Sequence, residues 1–319
     1  MNTTSIPNPL RGIIPPMVTP LKNRDELDTP GLERLIEHIL AGGVHGLFLL
    51  GTTGEAPSLS YRLRRELVER ACRQVKGRVP VLVGITDTAF VESVNMARCA
   101  AEAGAQGVVL APPYYFPAGQ EELIEYLQHL VPELPLPLFL YNMPSMTKLV
   151  FEPGTVRRLL DIPGVIGLKD SSGNMVYFHR LQRLLHDHPG FTLLVGPEEL
   201  LGETVMLGGH GGVNGGANLF PRLYVSLYEA AAAGNRDRVA ALHAIVMEIS
   251  DTIYSTGRHS SSFLKGLKCA LALENICGDF MAEPFHRFRE PERARIRNFL
   301  ENIQPRLCKE IHHASASGG

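Results

Sequence analysis

The sequence predicts an α/β fold, a (β/α)₈ barrel with a C-terminal helical extension, on three observations. Short, nearly continuous apolar runs alternate with amphipathic segments along most of the chain. Eight such runs occur before the pattern stops near residue 218, and glycine-rich turns lead into several of them. Apolar runs bounded by turn residues describe parallel strands covered on both faces, and their alternation with helices describes βαβ units. Strands are expected at 12–18, 45–50, 79–84, 107–111, 136–141, 165–169, 192–196 and 210–214. Helices are expected between them at 30–40, 61–75, 89–103, 121–131 and 175–186.

The turns support that count. Gly43, Gly104, Gly164 and Gly209 each sit just ahead of a strand, where a glycine can end one element in the left-handed conformation. Their intervals are too uneven for a solenoid. An open doubly wound sheet is the alternative, but the chain has neither a GxGxxG turn nor a Gly-Lys pair for a phosphate loop. After residue 218 only helical patterns remain, at 219–233, 236–255, 261–274 and 291–303. The first would close the barrel as its eighth helix, and the other three would form a cap. This divides the chain into a barrel with a short lead over 1–233, a helical cap over 234–305, and a small, polar tail over 306–319 expected to be disordered. His312 and His313 belong to that tail rather than to a ligand set.

Composition narrows the class of function. A chain of 319 residues, 45% hydrophobic, can bury a large core. A net charge of −2 without a long Lys/Arg run argues against a nucleic-acid partner. No run approaches the ~18 apolar residues of a membrane span, and the first ten residues do not read as a signal peptide. Five scattered cysteines without a CxxC pair suggest reduced thiols in a cytoplasmic protein, not a disulfide scaffold or zinc site.

In such a barrel the chemistry lies at the C-terminal strand ends. Those ends present Gly51-Thr52-Thr53-Gly54-Glu55, Pro112–Tyr115, Tyr141-Asn142, Lys169-Asp170-Ser171-Ser172, Gly196-Pro197-Glu198 and Val213-Asn214. Lys169 follows the apolar run VIGL, so its amine would sit at the mouth of an apolar cavity. Desolvation lowers a lysine pKa, and a free amine can attack a carbonyl to form a Schiff base. A lysine simply reaching water is the plainer reading. Tyr141 ends the preceding strand and could carry protons beside it, or merely pack its ring. The 51–54 loop offers hydroxyls and N–H groups that suit a carboxylate, although an ordinary strand-to-helix turn would look alike. Glu55 could be an acid but more simply fixes the turn. His45 and His210 lie in turns at the opposite barrel end and read as structural. The glycine-rich stretch 208–216 keeps a phosphate-binding barrel enzyme as a minor alternative.

Taken together, GTTGE at 51–55, PPYY at 112–115, LYNMP at 140–144, GLKDSSG at 167–173 and LGGHGGVNGGAN at 207–218 resemble the dihydrodipicolinate synthase / N-acetylneuraminate lyase family of Schiff-base aldolases. The likeness runs from Gly12 to about Leu300. It implies that Lys169 forms an imine with pyruvate or another 2-oxo acid, with no cofactor and no metal. It implies Tyr141 as the acid/base phenol, Thr52 linking it into a proton relay, and Gly51, Thr52 and Thr53 around the substrate carboxylate. Tyr115 matches a tyrosine that crosses into a neighbouring subunit, which implies at least a dimer and, by family, a homotetramer. The backbone at Val213 would face the pyruvyl group, with Gly196 nearby.

One position departs. Synthases of this family place an arginine where this chain has Met146, in YNMPSMT, to clamp the carboxylate of aspartate semialdehyde. Methionine offers neither charge nor donor, and Lys148 could substitute only if the loop differs. The sequence therefore points to a lyase acting on a 2-oxo acid, of the pyruvate-dependent aldolase or 2-keto-3-deoxy sugar-acid aldolase/dehydratase type. Met146, Asn214 and residues 256–262 are the expected tail contacts. The alternatives are dihydrodipicolinate synthase activity itself and a catalytically silent barrel that binds a 2-oxo acid.

Overall fold

The computed structural model describes residues 6–312. Eight parallel strands, each matching an expected run, form one sheet: β1 (Gly12–Ile13), β2 (Leu47–Leu49), β3 (Val81–Gly84), β4 (Gly107–Leu110), β5 (Leu138–Asn142), β6 (Val165–Asp170), β7 (Thr192–Val195) and β8 (Gly211–Gly212). Consecutive strands are neighbours, and β1 pairs with β8. The remaining gap is closed just beyond β1 by a parallel bridge between Pro16 and Phe48. There the Met17 N–H donates to the Phe48 carbonyl at 2.8 Å, and the Phe48 N–H to that of Pro15 at 3.0 Å. The result is a barrel.

The shortest strands show why glycine is needed at the seam. Gly211 has φ +148°, and a Cβ there would lie 2.0 Å from the Gly12 carbonyl oxygen. Only a residue without a side chain lets these two backbones pair. Leu10, Ile14, Phe48, Leu82, Val109, Phe139 and Leu194 fill the interior, whereas Leu47, Leu49, Val81, Val83, Leu138 and Leu140 belong to the larger core that includes the helices. Alternation along each strand thus builds both layers.

The surrounding helices are α1 (Thr29–Ala41), α2 (Tyr61–Val75), α3 (Phe90–Ala103), α4 (Gln120–Leu130), α5 (Pro144–Thr147), α6 (Pro153–Leu159), α7 (Met175–Leu184), α8 (Leu201–Met206) and α9 (Pro221–Ala232). Local chemistry sets their starts. Ser60 accepts the Leu63 N–H to cap α2, and Asn174 accepts that of Tyr177 to cap α7. The short helices α5, α6 and α8, and a hairpin of Leu21–Asn23 with Glu26–Leu27, were not anticipated. Each is too brief to show a periodicity.

Beyond the barrel come α10 (Arg236–Ile249), α11 (Ser262–Leu273) and α12 (Glu290–His312). The helix expected over 236–255 changes at Ser250–Tyr254 into a π-helical turn. The expected tail boundary at 305 is also corrected, because α12 continues to His312 despite Pro305. Leu307 is buried, and Arg238 donates to the Glu310 carboxylate and carbonyl, which ties that last stretch to α10. Residues 313–319, including His313, lie outside the described residues. No described helix is long and apolar enough to cross a membrane.

Candidate active site

Strand register creates the centre of the site. Tyr141 on β5 and Lys169 on β6 are direct partners across the ladder; Tyr141 belongs to the inward-facing set, and the Lys169 amine lies over two of that set's rings, Tyr141 and Phe48. Two residues before the lysine, Gly167 leaves room for a ring. A Cβ there would come within 2.5 Å of Phe139, so the aromatic packs beneath the lysine's position. The Lys169 ammonium nitrogen lies 4.0 Å from the centre of the Tyr141 ring and 5.2 Å from that of Phe48. Its residue is only 6% exposed. Burial pulls the amine's pKa down, opposed by the nearby Tyr141 phenol. A buried amine with no carboxylate shifting its titration gains a larger free-base fraction, which is the form that attacks a carbonyl.

The loop after β2 supplies the next link. Thr52 Oγ1 lies 3.2 Å from the Tyr141 hydroxyl, close enough for proton exchange between them. The loop is held by its own backbone: Gly54 N–H donates to Gly51 at 3.1 Å, and Glu55 N–H to Thr52 at 3.0 Å. Thr19 Oγ1 donates to the Gly54 carbonyl from below, at 2.7 Å. Glu55 fixes the turn as expected, but by a route the sequence did not disclose. It adopts a left-handed backbone, φ 56°, and its carboxylate accepts the Ala282 N–H at 2.8 Å and the ammonium of buried Lys268 on α11. Lys268 also donates to the Phe280 carbonyl at 2.7 Å. The C-terminal extension therefore clamps the threonine loop. A lysine inside the apolar helix SFLKGLKCALAL was the signal for this partner.

A cavity of about 370 Å³ opens over these residues. Of the expected site residues, Gly51, Thr52, Tyr141 and Met146 line it, with Ser260 and Ser261 from the 256–262 stretch. Lys169 and Thr53 are buried and absent from its wall. Gly196, Val213 and Asn214 are not part of the lining either. Asn214 instead donates to the Gly196 carbonyl at 3.0 Å, and the Val213 N–H bonds the Val195 carbonyl at 2.8 Å. Tyr114 borders the cavity, whereas Tyr115 stands 76% exposed with its ring against Phe116. Lys148 does not replace an arginine: its ammonium bonds the Ser145 carbonyl at 2.8 Å and does not line the cavity. Phe263, Leu264 and Phe285, which do line it, carried no recognisable motif.

A second buried network braces the mouth. Glu198, after β7, accepts the hydroxyls of Tyr224 and Tyr254, and its other oxygen accepts the Gly216 N–H at 2.9 Å. Burial pushes its carboxyl up to about 7, against the pull of those hydrogen bonds. Tyr254 lies in the π-helical turn, and its ring packs on Phe263, 4.6 Å between centres. At the other barrel end, His45 and His210 accept the N–H groups of Ile13 and Leu193. Burial lowers both pKa values, that of His210 to about 4, so these imidazoles act as neutral structural acceptors.

The profile of the Dihydrodipicolinate synthetase family matches residues 9–303. The chain belongs to that family. Membership makes it an enzyme of the lyase and synthase class, of the type that forms a Schiff base with pyruvate. A 4-hydroxy-tetrahydrodipicolinate synthase of Syntrophus aciditrophicus is 32% identical over 92% of this chain and 98% of its own length. A putative 2-dehydro-3-deoxy-D-gluconate aldolase of Escherichia coli, YagE, is also 32% identical, over 93% and 97%. Among solved structures, a dihydrodipicolinate synthase of Bacteroides thetaiotaomicron is 60% identical, with TM-score 0.91 over 93% of this chain and 99% of that one. YagE in complex with pyruvate superposes with TM-score 0.87 at 31% identity, over 92% and 98%. At 32% identity, relatives thus carry both synthase and aldolase names, and the 60% identical structure carries a synthase name.

Proposed function

We propose that this enzyme is a cytoplasmic, metal-free aldolase that cleaves, or in reverse forms, a 4-hydroxy-2-oxo acid, releasing pyruvate and an aldehyde. The observation that carries this reading is the chain Lys169–Tyr141–Thr52, a buried amine with no ion pair among the described residues, beside a phenol that is hydrogen-bonded to a loop hydroxyl. The amine of Lys169 adds to the C2 carbonyl and water leaves, giving the protonated imine. Tyr141 takes the C4 hydroxyl proton, the C3–C4 bond breaks, and its electron pair flows to the imine nitrogen as an enamine. The aldehyde departs, C3 regains a proton through Tyr141 and Thr52, and hydrolysis frees pyruvate and the lysine. Gly51, Thr52 and Thr53 hold the carboxylate in this scheme. No cofactor beyond the imine is required. Tyr115, exposed on its loop, is assigned to contact with a second copy in a homotetramer.

Dehydration of a 2-keto-3-deoxy sugar acid would use the same imine. The second reading, condensation of pyruvate with aspartate semialdehyde, is favoured by the names of the synthase relatives. Met146 weighs against it, because the position offers no donor for a second carboxylate. Pyruvate release from a panel of 4-hydroxy-2-oxo acids, coupled to NADH oxidation by lactate dehydrogenase, tests the assignment beside the condensation assay. Cleavage is expected to dominate, and Met146→Arg to raise the condensation. Efficient condensation by the unaltered enzyme, without cleavage of any panel member, would establish the second reading.

A further inference from the structure

Away from the imine-forming end, the cavity changes chemistry. Met143 and Met146 line it, together with Phe263, Leu264 and Phe285 from the C-terminal extension. Met146 and Phe285 keep 53% and 39% of their surface exposed, large apolar areas facing the mouth of the barrel. Among the described lining residues Glu55 is the one charged side chain. Both of its oxygens are engaged, by Lys268 and by the Ala282 N–H. The inner hydroxyls are engaged as well: Thr147 has the Met143 and Leu149 carbonyls as acceptors for its single proton, and Thr86 accepts the Ala111 N–H. Hydroxyls without such bonds belong to Ser58, Tyr114 and Ser260, which are exposed, and to half-buried Ser261.

From this we infer that the aldehyde half of the substrate is electrically neutral and hydrophobic, an aryl or branched alkyl aldehyde with any polar group at the end that reaches the exposed hydroxyls. The inference rests on the aldolase reading above and specifies its tail. An anionic tail would be buried without a cation to meet it. A polyol would set several hydroxyls against methionine and phenylalanine, leaving them unpaired. An apolar ring instead removes the exposed faces of Met146 and Phe285 from water. A cavity of about 370 Å³ is at the small end of ligand sites.

The test separates the two levels. Exchange of the pyruvate methyl protons in D₂O, followed by NMR, requires the imine and enamine but no aldehyde. On the wild-type enzyme it is expected to proceed, and its failure would overturn the aldolase reading and this inference with it. Condensation rates with pyruvate are then compared for benzaldehyde, isobutyraldehyde, D-glyceraldehyde and succinic semialdehyde. The two apolar aldehydes are expected to exceed the other two in kcat/KM by at least about tenfold. Phe285→Ser should reduce that preference about tenfold, and Met146→Arg should shift it toward succinic semialdehyde. Exchange with a preference for glyceraldehyde or succinic semialdehyde would overturn the tail assignment alone.

Discussion

Two buried lysines serve opposite ends in this molecule. Lys268 lies on α11 with no exposed side-chain surface, ion-paired to Glu55 and bonded to the Phe280 carbonyl, so its charge is matched and its position fixed. Lys169, on β6, faces the rings of Tyr141 and Phe48. Burial lowers its pKa. The same side chain is a structural cation where a carboxylate meets it, and, in the proposed mechanism, a nucleophile where only a phenol opposes the desolvation. The two are also coupled, because the Lys268–Glu55 pair anchors the loop that brings Thr52 to Tyr141.

The largest effect is expected from removing the proposed nucleophile. Lys169→Ala should lower pyruvate release by roughly 10⁴-fold or more, while circular dichroism shows an unchanged fold; substantial residual turnover would break the contrast. Stability should show the reverse. Lys268→Met strands the Glu55 carboxylate and should cost about 3–5 kcal/mol in urea denaturation, and adding Glu55→Gln should recover most of that loss. A single Lys268→Met variant as stable as wild type would mean that the pair does not clamp the loop.

Tyr141→Phe keeps the ring beside Lys169 but removes the proton carrier, so turnover should fall by about 10²–10⁴-fold while pyruvate can still be trapped. Thr52→Val tests the relay and should lose less, on the order of tenfold in turnover. The smallest effect concerns Glu198, whose carboxyl is raised in the folded state to about 7 from 4.5. The folded protein binds this proton more tightly, so its contribution to stability is full below pH 4.5 and declines as the pH rises to about 7. Glu198→Gln should flatten that slope in denaturation curves taken across the window, and an unchanged slope would assign it to other groups.

The barrel was legible because its strands are apolar runs ended by strong turn signals, and each of the eight runs held one. The Lys169–Tyr141 juxtaposition was legible for a related reason: VIGLK and LFLY end adjacent strands, and parallel register sets Tyr141 opposite Lys169. What sequence order did not reveal depends on long-range contacts. Lys268 meets Glu55 from 213 positions away and Tyr254 meets Glu198 from 56, and no local spacing encodes either pairing. The tail wall was partly missed for the same reason. Met146 sits beside a recognisable motif, whereas Phe263 and Phe285 come from the extension and look like ordinary core residues in sequence. Tyr115 and Asn214 were named by motif, but neither lines the cavity of the single chain.

The most direct test of the contrast is borohydride reduction in the presence of pyruvate, followed by intact-mass spectrometry and peptide mapping. The account predicts one reduced pyruvyl adduct per chain, on the peptide carrying Lys169, absent from Lys169→Ala and never on Lys268. Folded wild-type enzyme that forms no adduct, or carries it on another lysine, would contradict the assignment of Lys169 as the nucleophile.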